Sequence, residues 1–223
     1  MKINAVITGS TGMVGKGVLL ECLDNSQTES VLVINRESVG IRHPKLKEII
    51  HRNFSDLAAI RSQLAGYNAC FFCLGISSAG LSEKVYSEIT FDLTIHFARN
   101  LAELNPDMTF CYISGAGTDS SEKGRVMWAR VKGRTENALL NMGFKAAYMF
   151  RPGLIKPMRG IRSKTRLYNA VYVIIRPLFP LLKSIPGMIT DTDILTRALI
   201  HVTTSGYNKK VLETRDINLA GGL

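Results

Sequence analysis

Three glycines spaced three residues apart close the first apolar run of the chain. KINAVIT leads into Thr8-Gly9-Ser10-Thr11-Gly12-Met13-Val14-Gly15, and an amphipathic stretch begins inside that motif. Each glycine has a physical task in such a turn. Gly9 permits tight reversal, Gly12 removes the side chain where backbone must approach a pyrophosphate, and Gly15 lets the following helix pack close to the strand. The chemistry on offer is anion binding by the free N–H groups of a helix N-terminus. The motif carries weight from its context, because it follows a strand, opens a helix and precedes further strand and helix units. The alternative is a glycine turn that binds nothing.

The second apolar run, VLVIN, ends at Asn35-Arg36. A site for NAD(H) commonly places an acid at that tip to bond the adenosine ribose hydroxyls. Arg36 instead offers a planar guanidinium suited to a 2′-phosphate, with Glu37 beside it as a countervailing feature. The expected cofactor is therefore NADP(H), with NAD(H) second, and a solvated surface arginine is the alternative.

Other reactive side chains point elsewhere. Cys22, Cys70, Cys73 and Cys111 all sit in apolar periodic segments, where a free cysteine usually serves as a small buried hydrophobe. Cys70 and Cys73 make a C-x-x-C spacing, but inside the strand-like run NACFFCLG and not at a helix start that would activate a thiol. His43, His51, His96 and His201 lack metal-ligand spacing, so no metal site is expected.

The elements that must position these residues alternate. Short β-rich runs (KINAVIT, SVLVIN, LKEII, NACFFCLG, MTFCYIS, AAYMFR and a last one around 210 to 213) are separated by helical patterns at 13 to 24, 82 to 103, 122 to 142, 163 to 183 and 190 to 204. This order predicts an α/β protein with a doubly wound parallel sheet, a Rossmann fold. One dinucleotide-binding domain over 1 to 223 is expected, with 151 to 205 covering the crevice above the strand ends as a small substrate-facing region. The apolar stretch LYNAVYVIIRPLFPLLKSIP is interrupted by Arg176, Pro177, Pro180 and Lys183 before reaching a spanning length. It reads as a packed helix, with peripheral membrane contact as the alternative.

A formal charge of +10 favours an anionic partner. Without a nucleic-acid motif or aromatic-basic interleaving, a cofactor or an anionic small-molecule substrate is expected and nucleic acid is not. No secretory h-region precedes the first strand, which predicts a soluble cytoplasmic protein.

With these residues assembled, the chain resembles the atypical and extended short-chain dehydrogenase/reductase superfamily, in its small NAD(P)-binding, epimerase-like branch that includes the Tat-interacting oxidoreductase-like proteins. The resemblance spans nearly the whole chain. It implies that Gly9, Ser10, Thr11, Gly12, Met13, Val14 and Gly15 hold the cofactor phosphates. Asn53 and Phe54, in Asn53-Phe54-Ser55-Asp56, correspond to the adenine-side turn, and Cys73-Leu74-Gly75 to the glycine-bearing segment after the fourth strand. Ser114, ending MTFCYIS, matches a catalytic serine, and Lys132 matches the lysine of a Y-x-x-x-K pair that also contacts the cofactor. Position 128, where the superfamily carries its proton-donating tyrosine, is Trp128, and an indole N–H cannot play that part. Residues 128 and 132 share one helix face. Arg151-Pro152-Gly153-Leu154-Ile155 matches a Pro-Gly segment near the nicotinamide, making Pro152, Gly153 and Ile155 candidate contacts. A strand-ending turn without a ligand is the alternative there. A homodimer through the long helices is implied by the resemblance alone.

Directly after that turn, Lys156, Arg159, Arg162, Lys164 and Arg166 form a run without an acid, which suggests either a lid that recruits a phosphorylated or carboxylated substrate or, equally, a solvated loop with no partner. Two functions remain open at this level. One is an NADP(H)-dependent oxidoreductase or epimerase-like enzyme using hydride transfer, with Ser114 orienting the reacting oxygen and Lys132 holding the nicotinamide ribose. The other is a catalytically silent NADP(H)-binding sensor or protein-interaction module, favoured by Trp128.

Overall fold

The strand and helix alternation is realised as one seven-stranded sheet in a computed structural model that describes residues 1–161 and 187–222. The strands are β1 (Ile3–Thr8), β2 (Thr28–Asn35), β3 (Leu46–Ile50), β4 (Ala69–Phe72), β5 (Thr109–Ile113), β6 (Ala146–Arg151) and the edge strand Val211–Glu213. They lie in the order β3-β2-β1-β4-β5-β6-edge, and every pair is parallel. The order reverses between β1 and β4, so a crevice opens outside their carboxyl ends. The predicted doubly wound Rossmann fold of a single α/β domain is borne out.

Alternation within each strand builds two cores. Ala5 and Ile7 of β1, Val31 and Val33 of β2 and Phe71 of β4 face α1 (Met13–Asp24) and a later helix, Thr192–Thr204. Val6, Leu32, Ile34 and Phe72 face the opposite layer, which includes α3 (Leu93–Leu104) and Leu139 of α4 (Met127–Leu140). The inner strands β1, β2 and β4 are thus apolar on both sides, as a sheet covered by helices on both faces requires. A short α2 (Glu83–Ser87) and a π-turn (Glu88–Asp92) precede α3.

Several expected boundaries shift. The helix predicted over 122 to 142 starts at Met127, because residues before it form a loop in which Glu122 holds φ +60° and Asp119 accepts hydrogen bonds from the backbone N–H groups of Ser121 and Gly124. A loop satisfied by an aspartate competes with helix formation. The helix expected from 190 begins at Thr192 behind an Asp191 cap, which accepts from Asp193 N and Ile194 N. A two-stranded parallel ribbon, Leu154–Lys156 with Ile189–Asp191, was not anticipated. The helix expected at 163 to 183 and the apolar stretch of 167 to 186 lie outside the described residues; among the described residues no helix is long and apolar enough to cross a membrane.

Candidate functional site

The glycine turn between β1 and α1 is built as its spacing predicts. Gly9 sits at φ +68°, and a Cβ there would lie 2.7 Å from the Cys73 carbonyl oxygen. A Cβ on Gly15 would come to 2.3 Å from the Gly9 carbonyl oxygen, so any side chain would push α1 off the strand. Gly12 caps α1 with no side-chain hydrogen bond, and no acid stands in the first turn. Around Gly12 a Cβ would meet only the Gly9 carbonyl oxygen, at 3.2 Å. The helix N-terminus is therefore uncapped, without a competing carboxylate and open in front, which fits a pyrophosphate.

The turn is tied to the second strand. Ser10 is buried and its hydroxyl donates to Asn35 Oδ1 at 3.0 Å, which leaves Ser10 as a brace of the loop. Glu48 of β3 in turn accepts from Val39 N at 2.8 Å and Ser38 Oγ at 2.6 Å, folding the chain after β2 back onto the sheet. Asn35 pairs with Ile50 in parallel register, so the chains leaving β2 and β3 emerge side by side. Their next residues line a cavity of about 420 Å³ with Thr11, Arg36, Glu37 and Arg52 at its wall. Sequence reading identified Arg36 and missed Arg52. The available signal was that two neighbouring strands each end in an arginine a residue or two beyond the ladder.

Farther along the same rim, Asn53 is exposed and caps its own turn, accepting from Ser55 N, whereas Phe54 is buried in the core beside Phe97. Phe54 therefore supports this turn from beneath and offers the rim no side chain. After β4, Cys73 and Leu74 pack against Gly9, and Gly75 is exposed with open space around it. Burial pushes the thiols of Cys70 and Cys73 up from their ordinary range, which makes both poor nucleophiles.

At the end of β5 the arrangement departs from expectation. The Ser114 hydroxyl, expected to orient a reacting oxygen, is buried and donates to Glu136 Oε1 at 2.5 Å, with the Phe150 carbonyl oxygen 3.0 Å away. Glu136 lies on α4 and is fully buried. Its carboxylate also receives Arg151 Nε at 3.1 and 3.2 Å and Arg151 Nη2 at 2.5 Å. Arg151 reaches onward to Ser120 Oγ at 2.5 Å and to Glu213 on the sheet edge at 3.2 Å. This buried network went unread in the sequence. Its trace is the spacing Trp128, Lys132, Glu136, which places a carboxylate on the same helix face as the two candidate residues.

Lys132 does point to the β5 end: its ammonium donates to the Ser114 carbonyl oxygen. Burial lowers the Lys132 ammonium to about 8, and the Glu136 charge opposes that shift. Trp128 is half-buried, with the edge of its indole near Gly117 of the loop after β5, where a Cβ would stand 3.5 Å from Cη2. Tyr112 is buried, and burial raises its hydroxyl above the ordinary tyrosine range. It is no substitute proton donor for position 128.

The Pro-Gly segment has its own structural duties. The Pro152 carbonyl accepts from Ala116 N at 2.9 Å, Gly153 N donates to Thr214 Oγ1 at 2.8 Å, and a Gly153 Cβ would lie 2.7 Å from the Met188 carbonyl oxygen. Ile155 is buried in the two-stranded ribbon. Close packing accounts for Gly153 without a ligand. In the basic run, Arg159 does not face a substrate: its guanidinium pairs with Glu21 and Asp24 of α1 and lies 3.4 Å from Asp193. That part of the lid expectation is corrected, because three nearby carboxylates hold the charge. Arg162, Lys164 and Arg166 lie outside the described residues.

No family model matches the chain. It is 26% identical over 220 residues to the protein named fmp52, mitochondrial, of Aspergillus niger, covering 93% of this chain and 90% of that one. Fmp52 proteins of other fungi match at similar levels and carry the same mitochondrial designation. Among solved structures, a short-chain dehydrogenase family protein from Francisella tularensis superimposes with TM-score 0.66 at 15% identity, over 92% of this chain and 93% of that one. The Bordetella bronchiseptica enzyme WbmF in complex with NAD+ superimposes with TM-score 0.68 at 14% identity, over 98% of this chain and 77% of that one. These likenesses show the fold, and at the level of the fold the resemblance read in the sequence is borne out. The cytoplasmic expectation is corrected by the mitochondrial names of the relatives. That expectation weighed only secretory signals, whereas organelle import reads basic amphipathic segments of another kind.

Proposed function

We propose that this chain binds NADP(H) at the β1–α1 turn and uses it for hydride transfer to or from a small carbonyl or alcohol. The carrying observation is the glycine turn joined to the cavity of Thr11, Arg36, Glu37 and Arg52. The uncapped start of α1 suits the pyrophosphate, and two guanidinium groups beside Thr11 suit a further phosphate on the adenosine side. WbmF was solved with NAD+, so the arginine pair is what favours NADP(H) here. NADP(H) supplies the hydride when bound. Within the chain, Lys132 would hold the nicotinamide-side ribose, and its ammonium, lowered to about 8, would be the group able to exchange a proton near neutral pH. Candidate contacts at this site are Gly12, Met13 and Val14 at the helix start, Arg36 and Arg52 at the adenosine side, and Gly75 and Lys132 toward the nicotinamide.

Trp128 is the chain's one tryptophan and stands a helical turn from Lys132, so titration with NADPH is expected to quench its emission with energy transfer to the reduced ring. NADPH should bind at least tenfold more tightly than NADH. Equal affinities would remove the 2′-phosphate assignment, and no binding of either would remove the function.

A second reading, a silent NADP(H)-binding sensor, is favoured by Trp128 and by the engagement of the Ser114 hydroxyl with Glu136. Trp128→Tyr distinguishes the two. A positioned acid or base is worth about 10²- to 10⁴-fold in rate, so this variant should raise NADPH-dependent aldehyde reduction by a factor in that range if a substrate pocket exists. No gain in a variant that still binds NADPH would leave the sensor reading standing.

A further inference from the structure

The Ser114–Glu136–Arg151 network lies directly beneath Lys132, and the chemistry proposed above assigns it no task. Ser114 is gripped at both of its polar ends. Its hydroxyl is held by Glu136 at 2.5 Å, and its carbonyl receives the Lys132 ammonium. Glu136 is itself fixed on both oxygens by Arg151, which spans from β6 to the sheet edge and to Ser120 in the loop after β5. A buried carboxylate so thoroughly paired is conformationally fixed, and what it fixes is the one residue that seats the lysine.

We infer that Glu136 is a positioning residue for Lys132: clamped by Arg151, its carboxylate holds the Ser114 hydroxyl, so that the Ser114 carbonyl stays where the Lys132 ammonium is seated. The Glu136 charge also opposes the lowering that burial imposes on this ammonium. The Ser114 hydroxyl is consequently withdrawn from any substrate, and a carbonyl or alcohol entering this end of the crevice meets Lys132. The assignment of Lys132 to the cofactor rests on the function proposed above; its coupling to Glu136 does not.

The charged and titratable groups tied to this network include Glu136 itself, Arg151 of β6, Glu213 at the sheet edge, Tyr112 of β5 and Tyr86 of α2. Of these, the Glu136 charge raises the Lys132 ammonium, against the lowering by burial.

The test is competitive labelling of the full chain with acetic anhydride across pH 6 to 10, with the Lys132 peptide quantified by mass spectrometry against the exposed lysines. Only the neutral amine reacts. In Glu136→Gln the amide oxygen still accepts from Ser114 but the charge is gone, so the Lys132 midpoint should fall and its labelling at pH 7 should rise at least threefold. Arg151 keeps Ser120 and Glu213 in that variant. Should it fail to fold, Ser114→Ala, which cuts the hydroxyl link to the lysine's seat while leaving the Glu136–Arg151 pair in place, should likewise change the rate at which Lys132 is labelled. A folded variant of either kind whose Lys132 labels at the wild-type rate and midpoint overturns the inference, since a merely structural pair would leave the lysine unmoved. Labelling needs no cofactor, so failure of the wild type to bind NADPH would sink the proposed function while leaving this coupling intact.

Discussion

Replacing Arg36 and Arg52 together by alanine is expected to weaken NADPH binding about 100-fold while NADH changes by no more than about threefold. A hydrogen bond to a charged group is worth about 1.5–3 kcal/mol, and each 1.4 kcal/mol is about tenfold in affinity. Both side chains are exposed, so solvent screening holds the pair near the lower end of the summed range. The wild-type preference for NADPH should shrink as salt rises from about 0.05 to 0.5 M, because exposed charges are screened within about 10 Å at 0.1 M. Isothermal titration of both cofactors at two salt concentrations measures this. Equal losses for NADPH and NADH would show that the arginines serve the general field of the cleft and recognise no additional phosphate. Arg36→Ala and Arg52→Ala singly should each account for a substantial part, since the strand register places the two positions on either side of one cavity.

Arg151→Met is expected to cost about 3–5 kcal/mol of folding stability, seen as a drop of about 10 °C in melting temperature. The size follows from what is left behind. Glu136 has no solvent exposure, and Arg151 supplies three of its contacts at 3.2 Å or less. Removing the cation strands a buried carboxylate, which is far more costly than losing a surface pair such as Arg61 with Glu103. The double variant Glu136→Gln/Arg151→Met should recover at least half of that loss, because a neutral pair of similar volume carries no uncompensated charge. A single-variant cost under about 1 kcal/mol would mean that solvent or another cation reaches Glu136, and the clamp argued for this site would fall with it.

The fold was legible because its signals are local. Strands apolar on both sides, separated by helical periods, dictate a parallel sheet covered on two faces, and the glycine spacing marks a turn where, at Gly9 and Gly15, backbone lies 2.7 and 2.3 Å from where a side chain would begin. Arg36 was visible for the same reason: it ends a strand whose direction was already known. Arg52 was not, because its pairing with Arg36 depends on the register between β2 and β3, and register is set by which residues the two faces bury together.

What the sequence by itself determined is the sheet, its order of elements, the glycine turn after the first strand and the presence of Trp128 where the resemblance implies a tyrosine. What only the tertiary structure decided is what the candidate residues are doing. Ser114 stands where the strand pattern put it, yet its hydroxyl belongs to Glu136; Arg159 lies in a basic run, yet its charge belongs to α1 and Asp193. A hydrogen bond or an ion pair is made over a few ångströms, between side chains 22 residues apart in one case and more than a hundred in the other. Periodicity reports which face of an element is buried. It carries no information about which polar group waits on the other side.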